Sequence, residues 1–238
     1  MIKQTIVSIA TLVSTILTPV SPVGVTLLSP ILKKPALVIL AEHSLDLTTR
    51  EPGAYANEVF ADNILLALHY LRNDVDEGEV DWGEVRAPFE VAFVLQPEEV
   101  FAFHGNVLPE FDPSAGRPTV TMNSRFFIEE GYKSVGGLGG NGVCHLASLI
   151  NWVAFEADLE VVAKVNHNFY PVPGVPKEFG TSIRSQSKTQ NLYIKNNFEV
   201  PVIFSFSVGS EEVDLEILSL GRESNPRPRL YQRRALTN

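Results

Sequence analysis

The sequence predicts an α+β fold in which two main helices pack on a largely antiparallel sheet. Two segments carry apolar residues at helical spacing, and short apolar runs bounded by Pro, Gly and Asn follow the second of them. Consecutive strands that follow a helix and are joined by Pro-rich turns indicate an antiparallel sheet in an α+β domain. Hydrophobic residues form 45% of the 238 residues, which is enough to bury a core.

The first helix is predicted to begin at Asn57, as its N-cap, and to run to about Leu71. Its apolar stripe has members three or four residues apart: Phe60, Ile64, Leu68 and Leu71. This spacing places them on one face of a helix, so we expect the helix to pack against the core.

The second helix is predicted from Val143 to Ala157, directly after a stretch that holds five glycines between Tyr132 and Gly142. Strands are predicted on both sides of it. They are Phe89–Leu95, Val100–Phe103, Thr119–Met122, Glu160–Val165, Thr181–Arg184, Asn191–Lys195, Val200–Val208 and Glu212–Leu218.

The N-terminus predicts export. A basic Lys3 precedes a run without charge from Thr5 to Leu32, which is typical of a signal peptide or membrane anchor, here assigned to residues 1–41. Several Pro and Gly residues interrupt the run, so cleavage and anchoring both stay open. The alternative is a buried N-terminal hairpin or helix. We therefore expect a secreted or membrane-anchored, extracytoplasmic protein.

Charge and cysteine content exclude several classes of function. The net charge is −9, and without the Arg-rich segment 222–238 the chain is more acidic still, so nucleic acid is not an expected partner. One cysteine cannot form an intrachain disulfide or a zinc site that needs two thiolates. We expect no metal and no cofactor, and the oligomeric state stays open.

Residues 219–238 are predicted to be a disordered tail. The stretch from Arg222 resembles a peptide read from the complement of a transfer-RNA gene, which would make it non-native sequence. The alternative is a basic tail that contacts anionic wall polymers or lipids.

Cys144 is the candidate nucleophile. Glycines before its helix leave the first N–H groups free, and their partial positive charge favours the thiolate. A cysteine nucleophile needs a base and a group that orients the base; His167 and Asn191, at the next strands, are the candidates. His145 points elsewhere on the helix and is a poorer base. The alternative is a buried cysteine that acts as a small apolar side chain.

The stretch Gly139–Ser148 resembles the signature of the VanW-like family, in which a Gly-rich approach leads to a Cys-bearing helix. The similarity spans roughly Leu40 to Val208 and implies a VanW-like domain at residues 42–218, in a bacterial cell-envelope protein. The chain departs from the family's pattern at three positions. His145 stands where Gln is usual, Ala147 where Ser is usual, and Asn191 where Asp is frequent.

Two functions are expected on these grounds. The first is a thiol-dependent acyl transferase or peptidase that acts on peptidoglycan or peptide, with the helix-then-strand order of transglutaminases and papain. Besides the three catalytic candidates, its substrate-binding residues are Gly140, Gly142, His145 and Tyr170. The second is a non-catalytic wall-binding or structural module, in which Tyr132, Trp152 or Tyr170 contacts the ligand.

Overall fold

The computed structural model describes residues 37–115 and 119–221. Within these ranges three α-helices span Ala54–Arg72 (α1), Trp82–Val85 (α2) and Val143–Glu156 (α3). The strands are Leu37–Asp46 (β1), Phe89–Leu95 (β2), Val100–Ala102 (β3), Thr119–Thr121 (β4), Ser134–Val135 (β5), Leu138–Gly139 (β6), Glu160–Ala163 (β7), Leu192–Lys195 (β8), Val202–Val208 (β9) and Glu212–Leu220 (β10). The predicted α+β class is confirmed.

Two four-stranded sheets form the body, with strand orders β1-β10-β9-β2 and β4-β3-β8-β7. All pairs are antiparallel except β3 with β4, which run parallel. The strands thus divide between two sheets, where the sequence predicted one. The short strands β5 and β6 form a separate hairpin just before α3.

Strand β10 shows why the first sheet has one apolar face. Val213, Leu215 and Ile217 are buried, while the residues between them are acidic and lie on the outer face. Successive side chains of a strand point to opposite faces, so this alternation fixes the register against β1 and β9.

Aromatic rings join the two sheets in one core. Phe93 of β2 stacks on Phe204 of β9 and on Phe101 of β3, with ring centroids 4.6 and 5.0 Å apart. All three side chains are buried in the same hydrophobic cluster as the apolar faces of α1 and α3. Large buried rings contribute much of the apolar surface that stabilises a domain of this size.

The edges of the folded unit differ from the predicted boundaries. β1 begins at Leu37 and pairs with Leu220 at the end of β10, so the boundary predicted after residue 41 falls inside β1. The boundary predicted before residue 219 likewise falls inside β10. The predicted signal segment up to residue 36 and the tail from residue 222 lie outside the described residues. Across the described ranges, no helix combines the length and apolarity that crossing a bilayer requires.

The N-cap prediction for Asn57 is wrong, because α1 begins earlier and Gly53 stands at its N-cap. The Asn57 carboxamide oxygen accepts hydrogen bonds from the N–H groups of Arg50 and Glu51, at 2.6 and 3.3 Å. Its amide group donates to the Leu47 carbonyl at 2.9 Å. Asn57 therefore holds the turn that leads into α1, a role that local sequence does not distinguish from capping.

Candidate functional site

A cavity of about 810 Å³ opens at the start of α3. Most of the predicted site residues line it: Gly140, Gly142, Cys144, His145, His167 and Tyr170. Asn191 is the exception. Side chains of α1 and of the segments around residues 125–127 and 182–186 complete the wall. The structure thus brings one thiol and two imidazoles to a single concave site.

Gly142 lets α3 begin against α1. It adopts φ +100°, and a Cβ there would lie 2.4 Å from the Phe60 carbonyl oxygen. Gly140 has φ +67°, and its Cβ would lie 3.0 Å from the Cβ of Phe126. Packing and backbone conformation therefore already require glycine at both positions. Their predicted contact with substrate stays a prediction.

Cys144 is the second residue of α3 and is partly exposed to the cavity. Its sulfur accepts a hydrogen bond from the Ile183 N–H at 3.4 Å and lies 3.8 Å from the Ile183 carbonyl oxygen, to which the thiol donates. Burial raises the pKa of the thiol to about 11. The predicted bias toward thiolate is therefore wrong for this state, because desolvation outweighs the helix start.

The segment predicted as the strand Thr181–Arg184 is instead bonded to α3. Only Thr181 forms a β-bridge, with Asn166. The Thr181 N–H donates to the Ser148 hydroxyl at 2.9 Å, and that hydroxyl donates to the Cys144 carbonyl at 2.6 Å. The N–H groups of Ser182 and Arg184 donate instead to the backbone carbonyls of Val165 and Gln190. Side chains of α3 and loop carbonyls together fix this wall of the cavity beside the thiol.

His145 lies deeper, with 1% of its surface exposed. Its ring packs 5.1 Å from the Phe60 ring and 6.3 Å from the His167 ring, measured between centroids. Burial, aided by the charge of Arg50 and by His167, lowers the pKa of His145 to about 3. The imidazole is therefore neutral near pH 7, and its Nδ1 has no hydrogen-bond partner within the described ranges.

His167 is buried and is oriented by its own loop. Its Nδ1 lies 2.8 Å from the Tyr170 carbonyl oxygen. A carbonyl only accepts, so Nδ1 carries the proton, and in the neutral ring Nε2 keeps its lone pair. The Tyr170 carbonyl thus fills the orienting position that the sequence assigned to Asn191.

Asn191 binds another histidine. Its side chain accepts from the His104 N–H at 3.2 Å and donates to the His104 carbonyl at 3.1 Å. Further contacts reach the His104 ring and the Asn106 carbonyl. The prediction that Asn191 orients His167 is wrong, because Asn191, just before β8, bonds to the turn that follows β3.

Of the three aromatic residues predicted to contact a ligand, one lines the cavity and two do not. Tyr132 is buried in the core, where its hydroxyl contacts Ser124. Trp152 stacks on His43 and does not line the cavity. Tyr170 does line it, together with Phe169, which is 79% exposed and lies against the His167 ring. Two consecutive aromatic residues directly after Asn168 are the feature of the sequence that could have indicated this wall of the site.

Sequence reasoning missed two residues near the site, Phe169 and Arg50. Arg50 is 1% exposed, donates to the Pro173 carbonyl at 2.9 Å, and its charge contributes to the lowered pKa of His145. An arginine just before a helix gives no local sign that it will be buried. Among the residues placed by the structure, no group of three or more His, Cys, Asp or Glu side chains is arranged to hold a metal ion.

A family model described as VanW like protein matches residues 91–218, which is more than half of the chain. The matched range contains α3 and every cavity residue from Arg125 to Gln190. No curated protein and no solved structure matches the chain.

Replacing Gly142 with Ala is expected to destabilise the fold by about 2–4 kcal/mol, since a side chain there is strained at positive φ and collides with the Phe60 backbone. The measurement is urea unfolding. Gly105→Ala is the matched control, because its Cβ would meet no atom within 4 Å. Equal unfolding midpoints for the two variants would contradict the packing argument.

The Cys144 thiol is expected to react slowly with iodoacetamide at pH 7, because a pKa of about 11 leaves little thiolate. The rate should rise about tenfold per pH unit through pH 9.5, where an ordinary thiol, with a pKa of about 8.5, has already levelled off. A short cysteine peptide and Cys144→Ser serve as references. A rate that levels off below pH 8 contradicts the buried, neutral thiol.

Proposed function

Because the chain belongs to the VanW-like protein family, which is associated with bacterial cell envelopes, we propose that it is an extracytoplasmic protein whose cavity binds a peptide segment of peptidoglycan. The observation that carries the proposal is the cavity itself, which combines exposed aromatic rings with one thiol and two imidazoles.

The size of the cavity fits a ligand of several residues. Small-molecule sites commonly enclose about 300–1,000 Å³ and combine apolar walls with a few placed polar groups. Here Phe60, Phe126, Phe127, Phe169 and Tyr170 supply the walls, and the floor holds the thiol and the two imidazoles.

The aromatic wall has the exposure of a binding surface. Phe169 is 79% exposed and Tyr170 is 40% exposed. Both rings therefore have apolar surface that a ligand could cover on binding. The Tyr170 hydroxyl already donates to Glu51, and His167 holds the backbone of the turn through the Tyr170 carbonyl. The turn is therefore fixed before any ligand arrives, which lowers the entropy cost of binding.

The charge states of the floor also favour binding over chemistry. A thiol with a pKa of about 11 and an imidazole with a pKa of about 3 are both neutral near pH 7. Neutral donors and acceptors suit the amide groups of a peptide, which need hydrogen bonds when they leave water.

Soluble muropeptides, prepared by enzymatic digestion of peptidoglycan, are expected to bind the chain. Phe169→Ala and Tyr170→Ala should each weaken binding about tenfold, since each removes apolar contact area. Isothermal titration calorimetry measures the affinities. Tyr55→Ala is the control, because Tyr55 is an exposed aromatic that does not line the cavity. Absence of binding at millimolar muropeptide, or unchanged affinity in both cavity variants, would refute the proposal.

A second candidate is a thiol-dependent acyl transfer or hydrolysis, which one observation favours. Cys144 and His167 line the same cavity, and the Nε2 lone pair of His167 is available as a base. The imidazole would take the thiol proton while sulfur bonds to a peptide carbonyl carbon. The C–N bond would then break and the amine leave with that proton. Water or another amine would resolve the thioester. Transglutaminase-like and papain-like enzymes carry out this chemistry, and they have the same chain order of Cys-bearing helix, strand and His.

The acyl-transfer candidate predicts a covalent adduct on Cys144. Wild-type protein incubated with muropeptides and quenched in acid should gain the mass of an acyl fragment, released by hydroxylamine. His167→Gln should form the adduct at least tenfold more slowly, since it lacks the base. Cys144→Ser is the control that keeps the side-chain size. Binding without any adduct over hours would contradict acyl transfer and would be consistent only with the binding function.

A further inference from the structure

Strands β1 and β10 are each divided into an apolar half and an acidic half. The residues from 37 to 41 and from 217 to 220 carry no charge, whereas five carboxylates occupy the other halves: Glu42, Asp46, Glu212, Asp214 and Glu216. The antiparallel register pairs Leu37 with Leu220 and Asp46 with Glu212. Both apolar halves therefore lie at one end of the sheet, and the carboxylates lie toward the other end.

The apolar end of the sheet is exposed, and β1 forms its edge. Val38 and Ile39 are 47% and 49% exposed, and no other strand within the described ranges exposes a large apolar side chain to this degree. Four further apolar side chains of this end are partly exposed: Leu37, Leu40, Leu218 and Leu220. Single exposed apolar residues are common on protein surfaces, but a cluster of them marks a contact surface.

The charges along the chain favour an anionic lipid surface as the partner of the apolar end. Lys33 and Lys34 precede β1 in the sequence, and they follow the uncharged run predicted as a signal peptide or membrane anchor. β1 and β10 contain no Lys or Arg. Burial, and then the charges of Glu212 and Glu42, raise the pKa of Asp214, so the carboxylates lie close enough to repel one another. An anionic bilayer attracts basic residues beside exposed apolar side chains, and it repels the acidic end.

We propose that the apolar end is a docking surface for an anionic lipid bilayer, which Val38 and Ile39 contact while the acidic halves of β1 and β10 point away from it. The cavity lies toward the opposite end of β1, since Glu51, which lines it, follows Asp46 after a single 3-10 turn. The ten residues of β1 span about 30 Å, so this orientation holds the cavity away from the bilayer. The inference does not depend on what the cavity binds.

Fluorescence quenching by lipid tests the contact. Ile39→Cys and Ser44→Cys, each in the full chain with Cys144→Ser, place a bimane label at two exposed positions of β1. The protein is reconstituted with vesicles of phosphatidylcholine and about 30% phosphatidylglycerol, in which a fraction of the head groups carries a nitroxide. The label at residue 39 should be quenched at least threefold more than the label at residue 44. Equal quenching at the two positions, or none at either, overturns the inference.

A charge added to the apolar end provides the second test. Val38→Glu, combined with the label at residue 39, should at least halve the quenching, because it places a carboxylate against anionic lipid. Ser210→Glu is the control, since it adds the same charge at an exposed position of the turn between β9 and β10. Unchanged quenching in Val38→Glu contradicts the proposal. Without vesicles, shielding of the label at residue 39 from aqueous iodide that grows with protein concentration would show pairing with a second copy, and this result also overturns the inference.

Discussion

The site depends on one backbone contact, in which the start of α3 lies directly against α1. Gly142 has no room for a side chain, since its α-carbon faces the Phe60 carbonyl. Because the helices meet there, Phe60 and the first turn of α3 form adjoining walls of the cavity. The opposite wall is fixed by side chains of the same helix, through Ser148 and Cys144 to the segment at Thr181 and Ile183. One helix therefore positions both the floor and a wall of the cavity.

This close packing also explains the charge state of the thiol. A helix start lowers the pKa of a cysteine, whereas burial in apolar surroundings raises it. At Cys144 the sulfur lies against the Ile183 backbone and the apolar core, and the cost of burying a charge exceeds what the helix start and one N–H donor return. The contacts that shape the cavity are thus the ones that keep its thiol neutral.

Local patterns in the sequence predicted the helices and strands whose formation depends on neighbouring residues. The apolar stripe at Leu146 and Ile150 predicted the helix α3, and an apolar run bounded by Pro88 and Pro97 predicted β2 to its last residue. The cavity was also foreseen, because the glycines, Cys144 and His167 lie close to α3 in the chain.

Long-range partners account for the failures. Asn57, Asn191 and Thr181 each bond to groups that no local pattern identifies. Arg50 shows the same limit, since its burial depends on the carbonyl of Pro173, far along the chain. Chain order suggested Asn191 as the orienter of His167. β8 does pair with β7, but the Asn191 side chain bonds to His104, which follows β3, the neighbour on the opposite edge of β8.

The two activities considered for the cavity make opposite electrostatic demands. A ligand carboxylate beside the start of α3 would repel a developing thiolate on Cys144. A ligand that binds through a carboxylate at this point therefore makes the thiol less reactive. Acyl transfer needs the reverse arrangement, with a neutral amide at the sulfur and any carboxylate held further out, toward Arg184 at the rim. The position of the ligand's negative charge thus decides whether the cavity only binds or also reacts.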